Sequence, residues 1–97
     1  MTEDVKLKVI NMSWKLHSEV EMSYLNHSAK QGSTEWLEKQ SILLADMSLH
    51  LLQTAISPDD MNLDRLRDNL YSILTITDQF LPNAGLKKAA KDIYKST

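Results

Sequence analysis

The sequence predicts an all-α fold, an antiparallel bundle of three main helices followed by a short C-terminal helix. The whole chain contains two glycines and two prolines, too few for the many turns of an all-β fold. Apolar residues recur at three- and four-residue spacing over most of its length, as they do on helices that bury one face. Short connections separate these periodic segments, and such connections make successive helices antiparallel neighbours.

The length and composition indicate one cytoplasmic domain. A chain of 97 residues, taken as the single domain 1–97, buries roughly two thirds of the surface that its unfolded form exposes. The absence of cysteine excludes disulfides and thiolate metal ligands and favours a reducing compartment. The sequence has no apolar run of membrane-spanning length and no signal-peptide hydrophobic region near its start.

The first helix is predicted near 2–31, with Thr2 as its N-cap and Gly32 as its end. At about 45 Å it would be longer than the helices that follow, so it either overhangs them or breaks near Asn26. Its apolar residues form two rows on nearly opposite sides. The first, the Met12 row, contains Val5, Val9, Met12, Leu16 and Val20. The second, the Trp14 row, contains Leu7, Ile10, Trp14 and Leu25.

The second helix, near 34–56, is predicted to be the central one. Ser33 or Thr34 serves as its cap, and it is apolar over most of its circumference, so other helices must cover it from more than one side. Its polar stripe consists of Lys39, Asp46, His50 and Gln53. The third helix, near 58–81, is predicted to begin at Pro58, which suits the first helical position.

A short fourth helix is predicted near 86–96, after the helix-breaking segment 82–85. A helix of this length needs docking to persist. We expect it to lie on the bundle as a lid. The predicted core, drawn from the first three helices, consists of Met12, Leu16, Leu43, Met47, Leu51, Leu66, Leu70, Ile73 and Leu74.

The titratable residues do not predict an enzyme or a metal protein. His17 and Glu21 lie one helical turn apart and could face a metal, but the following helices offer no inward glutamate to complete a four-helix carboxylate site. His50 and Asp46 form an ordinary pair one turn apart. Phosphate-binding, zinc-protease and hydrolase motifs are absent from the sequence. We therefore predict no catalytic residue, no metal ligand and no cofactor, and expect that replacing His17, His27 and His50 with glutamine leaves the fold intact.

The charge distribution suggests nucleic acid as an alternative partner. Acidic residues dominate the middle of the sequence, whereas its last part carries Lys87, Lys88, Lys91 and Lys95. A lysine-rich helix after a short turn could contact DNA phosphates. It lacks the arginine and amide side chains that read base edges, and basic residues at the end of a helix also suit the helix dipole. A helical DNA-binding regulator is therefore the second interpretation.

The Trp14 row suggests the function. If the Met12 row packs against two neighbouring helices, then Leu7, Ile10, Trp14 and Leu25 are left on the far side, and an exposed apolar strip with a tryptophan is typical of an interaction surface. Three alternatives remain: the last helix covers the row, a second copy binds it as a homodimer, or another protein binds it. We predict a small, non-enzymatic regulatory, adaptor or inhibitor protein of a bacterium or phage.

Overall fold

Four α-helices make up the computed structural model, which describes residues 1–95. Their bounds are α1 Glu3–Asn26, α2 Trp36–Ala55, α3 Leu63–Thr77 and α4 Leu86–Ile93. No strand occurs in residues 1–95. Contacts between α1 and α2 run in opposite chain directions, because Ser13 contacts Gln53 whereas His17 contacts Asp46. The prediction of an all-α, antiparallel bundle of three longer helices plus a short C-terminal helix is confirmed.

Helix α1 ends early, at the break that its length suggested. At its start the Thr2 hydroxyl accepts a hydrogen bond from the Val5 N–H at 3.2 Å, which confirms the predicted N-cap. The helix ends at Asn26 because His27 takes an extended backbone conformation. The His27 ring then accepts a hydrogen bond from the Ala29 N–H, which stabilises the non-helical chain that follows.

Helix α3 begins later than predicted. Its first residue is Leu63, and the Asn62 side chain caps it by accepting a hydrogen bond from the Arg65 N–H at 3.1 Å. The predicted start at Pro58 was wrong, because residues 58–62 are not helical and the N-cap is Asn62, whose side chain satisfies a backbone N–H of the first turn. The helix also ends early, at Thr77, before the turns that lead towards α4.

The other two helices also differ in detail from the prediction. Helix α2 begins at Trp36 after Glu35, whose side chain makes no capping bond, so the predicted cap at Ser33 or Thr34 was wrong. Helix α4 starts where predicted, directly after Gly85, which has a φ of 71°. This left-handed conformation suits glycine and turns the chain sharply into α4.

The helices pack in chain order and form an open arrangement. Helix α1 packs on α2, α2 on α3 and α3 on α4, while α1 contacts neither α3 nor α4 within the part of the chain that the structure describes. The radius of gyration is 15.0 Å, whereas a compact domain of this length has about 12.5 Å. The prediction that α1 meets two neighbouring helices was therefore wrong.

The apolar core is smaller than predicted. Among residues 1–95 the buried apolar side chains are Ile76 and Ala90. Met12 and Leu16, both predicted for the core, are 56% and 49% exposed. The other predicted core residues are partly exposed. The reason is the serial packing, which covers each apolar stripe less completely than a closed bundle would.

Helix α1 faces α2 with a mixed polar stripe. This stripe is made of Lys6, Val9, Ser13, His17, Val20 and Tyr24. Its centre is buried Ser13, and His17 and Tyr24 contact Asp46 and Lys39 of α2. At about 100° per residue, the centre of the stripe lies roughly 60° from the centre of the Met12 row, with which it shares Val9 and Val20, and roughly 100° from the centre of the Trp14 row. The exposed members of both rows therefore flank the contact with α2.

Candidate functional site

The four residues predicted to bind a partner lie along one side of α1. Leu7, Trp14 and Leu25 are 60%, 49% and 66% exposed, and Ile10 is partly buried. Leu7 and Ile10 line a cleft of about 180 Å³ together with Pro58, which follows α2. Helix α4 packs on α3 and does not reach this row, so the alternative in which α4 covers it is wrong for residues 1–95. The role of the Trp14 row in binding stays a prediction.

The total accessible surface is large for a chain of this mass. It amounts to 6854 Å². A compact monomer of 11.1 kDa exposes roughly 5,650 Å². The difference, about 1,200 Å², exceeds the roughly 800 Å² that each partner buries in a standard interface. The surface that the chain exposes beyond that of a compact monomer is therefore large enough to form one standard interface.

A cluster of two histidines and an aspartate joins α1 to α2. His17 Nδ1 lies 2.5 Å from one carboxylate oxygen of Asp46, and His50 Nε2 lies 3.6 Å from the other. Asp46 is 5% exposed. The other ring nitrogen of His17 lies 2.9 Å from the Glu21 carboxylate. We call His17, Asp46 and His50 the His17–Asp46–His50 cluster.

Polar and aromatic contacts extend this cluster in both directions along the helices. The Gln53 amide donates a hydrogen bond to the buried Ser13 hydroxyl at 3.1 Å. The rings of His17 and His50 pack edge-on at 4.7 Å, and Trp14 packs edge-on against His17 at 5.6 Å. The exposed Trp14 row and the buried cluster are therefore in direct contact.

The charge of Asp46 is balanced by imidazoles. Its ion-pair partners in the described part of the chain are His17 and His50, each of which is charged only when protonated. A buried carboxylate is strongly disfavoured unless it is paired or binds a cation. The arrangement can therefore hold either a proton or a metal cation between Asp46 and the two rings.

The sequence revealed half of this cluster. The pair Asp46 and His50, and the separate pair His17 and Glu21, were visible as residues one turn apart. Their combination was missed because His17 and Asp46 lie on different helices, 29 residues apart in the sequence. The available signal was the polar stripe of α2, which needed a polar stripe on the helix packed against it.

The lysines of α4 are engaged with nearby carboxylates. Lys88 and Lys95 both pair with Asp92, at 2.9 and 3.4 Å, and Lys87 lies 3.8 Å from Asp78 of the segment after α3. The bond to Asp92 raises the pKa of Lys88, and the same bond lowers the pKa of Asp92. These exposed pairs are weak, but they partly neutralise the helix that DNA binding would use.

No family model matches the chain, and no curated protein or solved structure matches it either. None of the helices in the described residues has the length and apolar character needed to cross a membrane. Functional inference for this chain therefore comes from its own residues.

Proposed function

We propose that this chain is a small, non-enzymatic cytoplasmic protein that works by binding other proteins, as a regulator, adaptor or inhibitor, and that its first partner is a second copy of itself. The single observation that carries the proposal is the extra surface of about 1,200 Å² beyond that of a compact monomer. A second polypeptide seated on α1 would cover a large part of it.

The Trp14 row supports a second copy as the occupant. An antiparallel pair of α1 helices, related by a twofold axis near Trp14, brings the two indole rings together at the centre of the contact. Interface hot spots are enriched in such central tryptophans. A self-complementary patch of this kind is what a twofold interface requires.

Light scattering after size exclusion tests the proposal. The parent chain should elute with twice its mass of 11.1 kDa, and Trp14→Glu should reduce this to a monomer with little change in melting. Leu16→Glu is the matched control, because Leu16 is exposed to the same extent, 49%, but belongs to the Met12 row. The control should still dimerise.

Dilution separates self-association from binding of a foreign partner, because the mass of the isolated parent chain should fall from twice 11.1 kDa towards 11.1 kDa as its concentration is lowered. A parent chain that stays monomeric at high concentration contradicts the homodimer. Salt-sensitive retention on heparin that depends on the α4 lysines would favour DNA binding instead.

A further inference from the structure

The His17–Asp46–His50 cluster offers three potential metal ligands from two helices. One nitrogen of each ring and one oxygen of the carboxylate all lie within 4.8 Å of one another. Asp46 and His50 are one turn apart on α2, and His17 reaches them from α1. The three groups therefore converge on one point at the only helix contact that α1 makes within residues 1–95.

We propose that His17, Asp46 and His50 bind one Zn²⁺ ion, which fastens α1 to α2. Two imidazoles and one carboxylate are a common ligand type for zinc, whereas magnesium and calcium prefer oxygen ligands. Three protein ligands leave a fourth position for water. The proposal does not rest on the proposed self-association, although Trp14 packs edge-on against the ligand His17 at 5.6 Å.

The distances in the cluster require little rearrangement. Zinc binds histidine nitrogen and carboxylate oxygen at about 2.0–2.2 Å, so tetrahedral ligand atoms lie about 3.3–3.4 Å apart. The two contacts of Asp46 with the rings, 2.5 and 3.6 Å, lie on either side of this separation. The widest separation between ligand atoms in the cluster is 4.8 Å, so the side chains must approach by up to about 1.5 Å to reach the tetrahedral spacing.

Glu21 provides the outer support that a zinc-bound histidine needs. A ligand imidazole usually donates its second N–H to a carboxylate, which fixes the ring and its tautomer. His17 faces Asp46 with Nδ1 and the Glu21 carboxylate with Nε2, at 2.9 Å. With Nδ1 on the metal, Nε2–H donates to Glu21, so Glu21 is a positioning residue.

The charge of the site also fits a dication. Asp46 and Glu21 contribute two negative charges, and neutral imidazoles contribute none. A Zn²⁺ ion would neutralise both carboxylates, one by direct ligation and one through the His17 ring.

Titration of the untagged, chelator-treated protein with ZnCl₂ tests the site. Calorimetry should show one ion per chain, and CoCl₂ should give the visible absorption of a low-coordinate cobalt site. His50→Gln should reduce the zinc affinity by more than about 100-fold, and Glu21→Gln by about 10–100-fold, as supporting carboxylates do. His27→Gln is the matched control, because His27 lies outside the cluster: its ring accepts a hydrogen bond from the Ala29 N–H and lies 3.9 Å from the Glu38 carboxylate.

Two results would overturn the proposal. One is the absence of stoichiometric zinc binding by the folded parent chain near neutral pH. The other is an equal loss of affinity in His27→Gln and His50→Gln, which would indicate scattered surface binding. If His17→Gln fails to fold, His50→Gln decides the outcome, because His50 is the more exposed of the two rings.

Discussion

The two ends of the molecule are held by different kinds of contact. At the α1–α2 contact the centre is polar: Ser13 and Asp46 are buried, while Met12 and Leu16 of the predicted core are about half exposed. The two buried apolar residues of the described chain are Ala90 in α4 and Ile76 in α3, which shares a cleft with Leu43 and Met47 of α2. Apolar burial is therefore complete only in α3 and α4 within the described residues, whereas α1 is attached to α2 by specific polar pairs.

This difference suggests a division of roles. Apolar burial is the larger and less selective source of stability, whereas a polar contact fixes one register because each buried group needs its own partner. Helix α1 is thus positioned by specific pairs, and Leu7, Met12, Trp14, Leu16 and Leu25 of its two apolar rows are about half exposed or more. A helix with these properties is well suited to present a surface to another protein.

The largest expected effect tests whether the buried apolar core is confined to α3 and α4. Ile76→Ala removes most of a buried side chain and should lower the free energy of unfolding by about 2–5 kcal/mol. Met12→Ala, at an exposed position, should change it by no more than about 0.5 kcal/mol. Chemical denaturation of both variants measures the contrast. Equal losses would mean that α1 contributes a core of its own.

A smaller loss of stability, confined to α1, is expected when the polar contact of Asp46 with His17 and His50 is removed. Asp46→Asn, studied with a chelator present, removes the charge that pairs with His17 and His50 and should cost about 1–3 kcal/mol. Because α1 contacts only α2 within residues 1–95, the loss should appear as faster hydrogen exchange in α1 with α4 unchanged.

Asp64→Asn provides the control for that experiment. Asp64 forms an exposed pair with Arg67 at 3.3 Å on α3, and such pairs contribute little. Its exchange pattern should match that of the parent chain. Faster exchange spread evenly over all four helices in Asp46→Asn would contradict the separate attachment of α1.

The sequence was sufficient for the fold class but not for the packing. Periodicity located all four helices, because each has an apolar stripe that must be covered. It could not show that α1 packs through the stripe centred on Ser13. Two apolar rows on α1 offered a simpler choice, and the competing polar contacts become visible only when α2 is placed beside it.

Several predicted helix boundaries were wrong for a local reason. Asn62 and Pro58 both carry start signals, and single-residue preferences of about 1 kcal/mol cannot decide between them when packing differs. The His17–Asp46–His50 cluster was not predicted for a non-local reason, since His17 and Asp46 are far apart in the sequence. The Trp14 row required no such information, because it follows from the spacing of Leu7, Trp14 and Leu25 alone.

The smallest expected change in stability concerns the hydrogen bond between Tyr94 and Asp68, which joins the segment after α4 to α3. This exposed polar contact contrasts with the buried polar contact of Asp46 between α1 and α2. The Tyr94 hydroxyl donates a hydrogen bond to the Asp68 carboxylate at 2.6 Å, and this bond raises the pKa of Tyr94 above its usual value of 10.0. The folded state thus favours the neutral phenol. Stability from this bond is complete below pH 10 and is lost as the pH rises through the raised pKa.

Comparison of the parent chain with Tyr94→Phe isolates this contribution from the general effects of alkali. The parent should be slightly more stable at neutral pH, and the difference between the two unfolding curves should shrink above pH 10, because tyrosinate cannot donate to Asp68. Near-ultraviolet titration should show one late-ionising tyrosine that Tyr94→Phe removes and Tyr24→Phe keeps. A stability difference that is constant with pH would mean that ring packing against Tyr71, 5.5 Å away, accounts for the role of Tyr94.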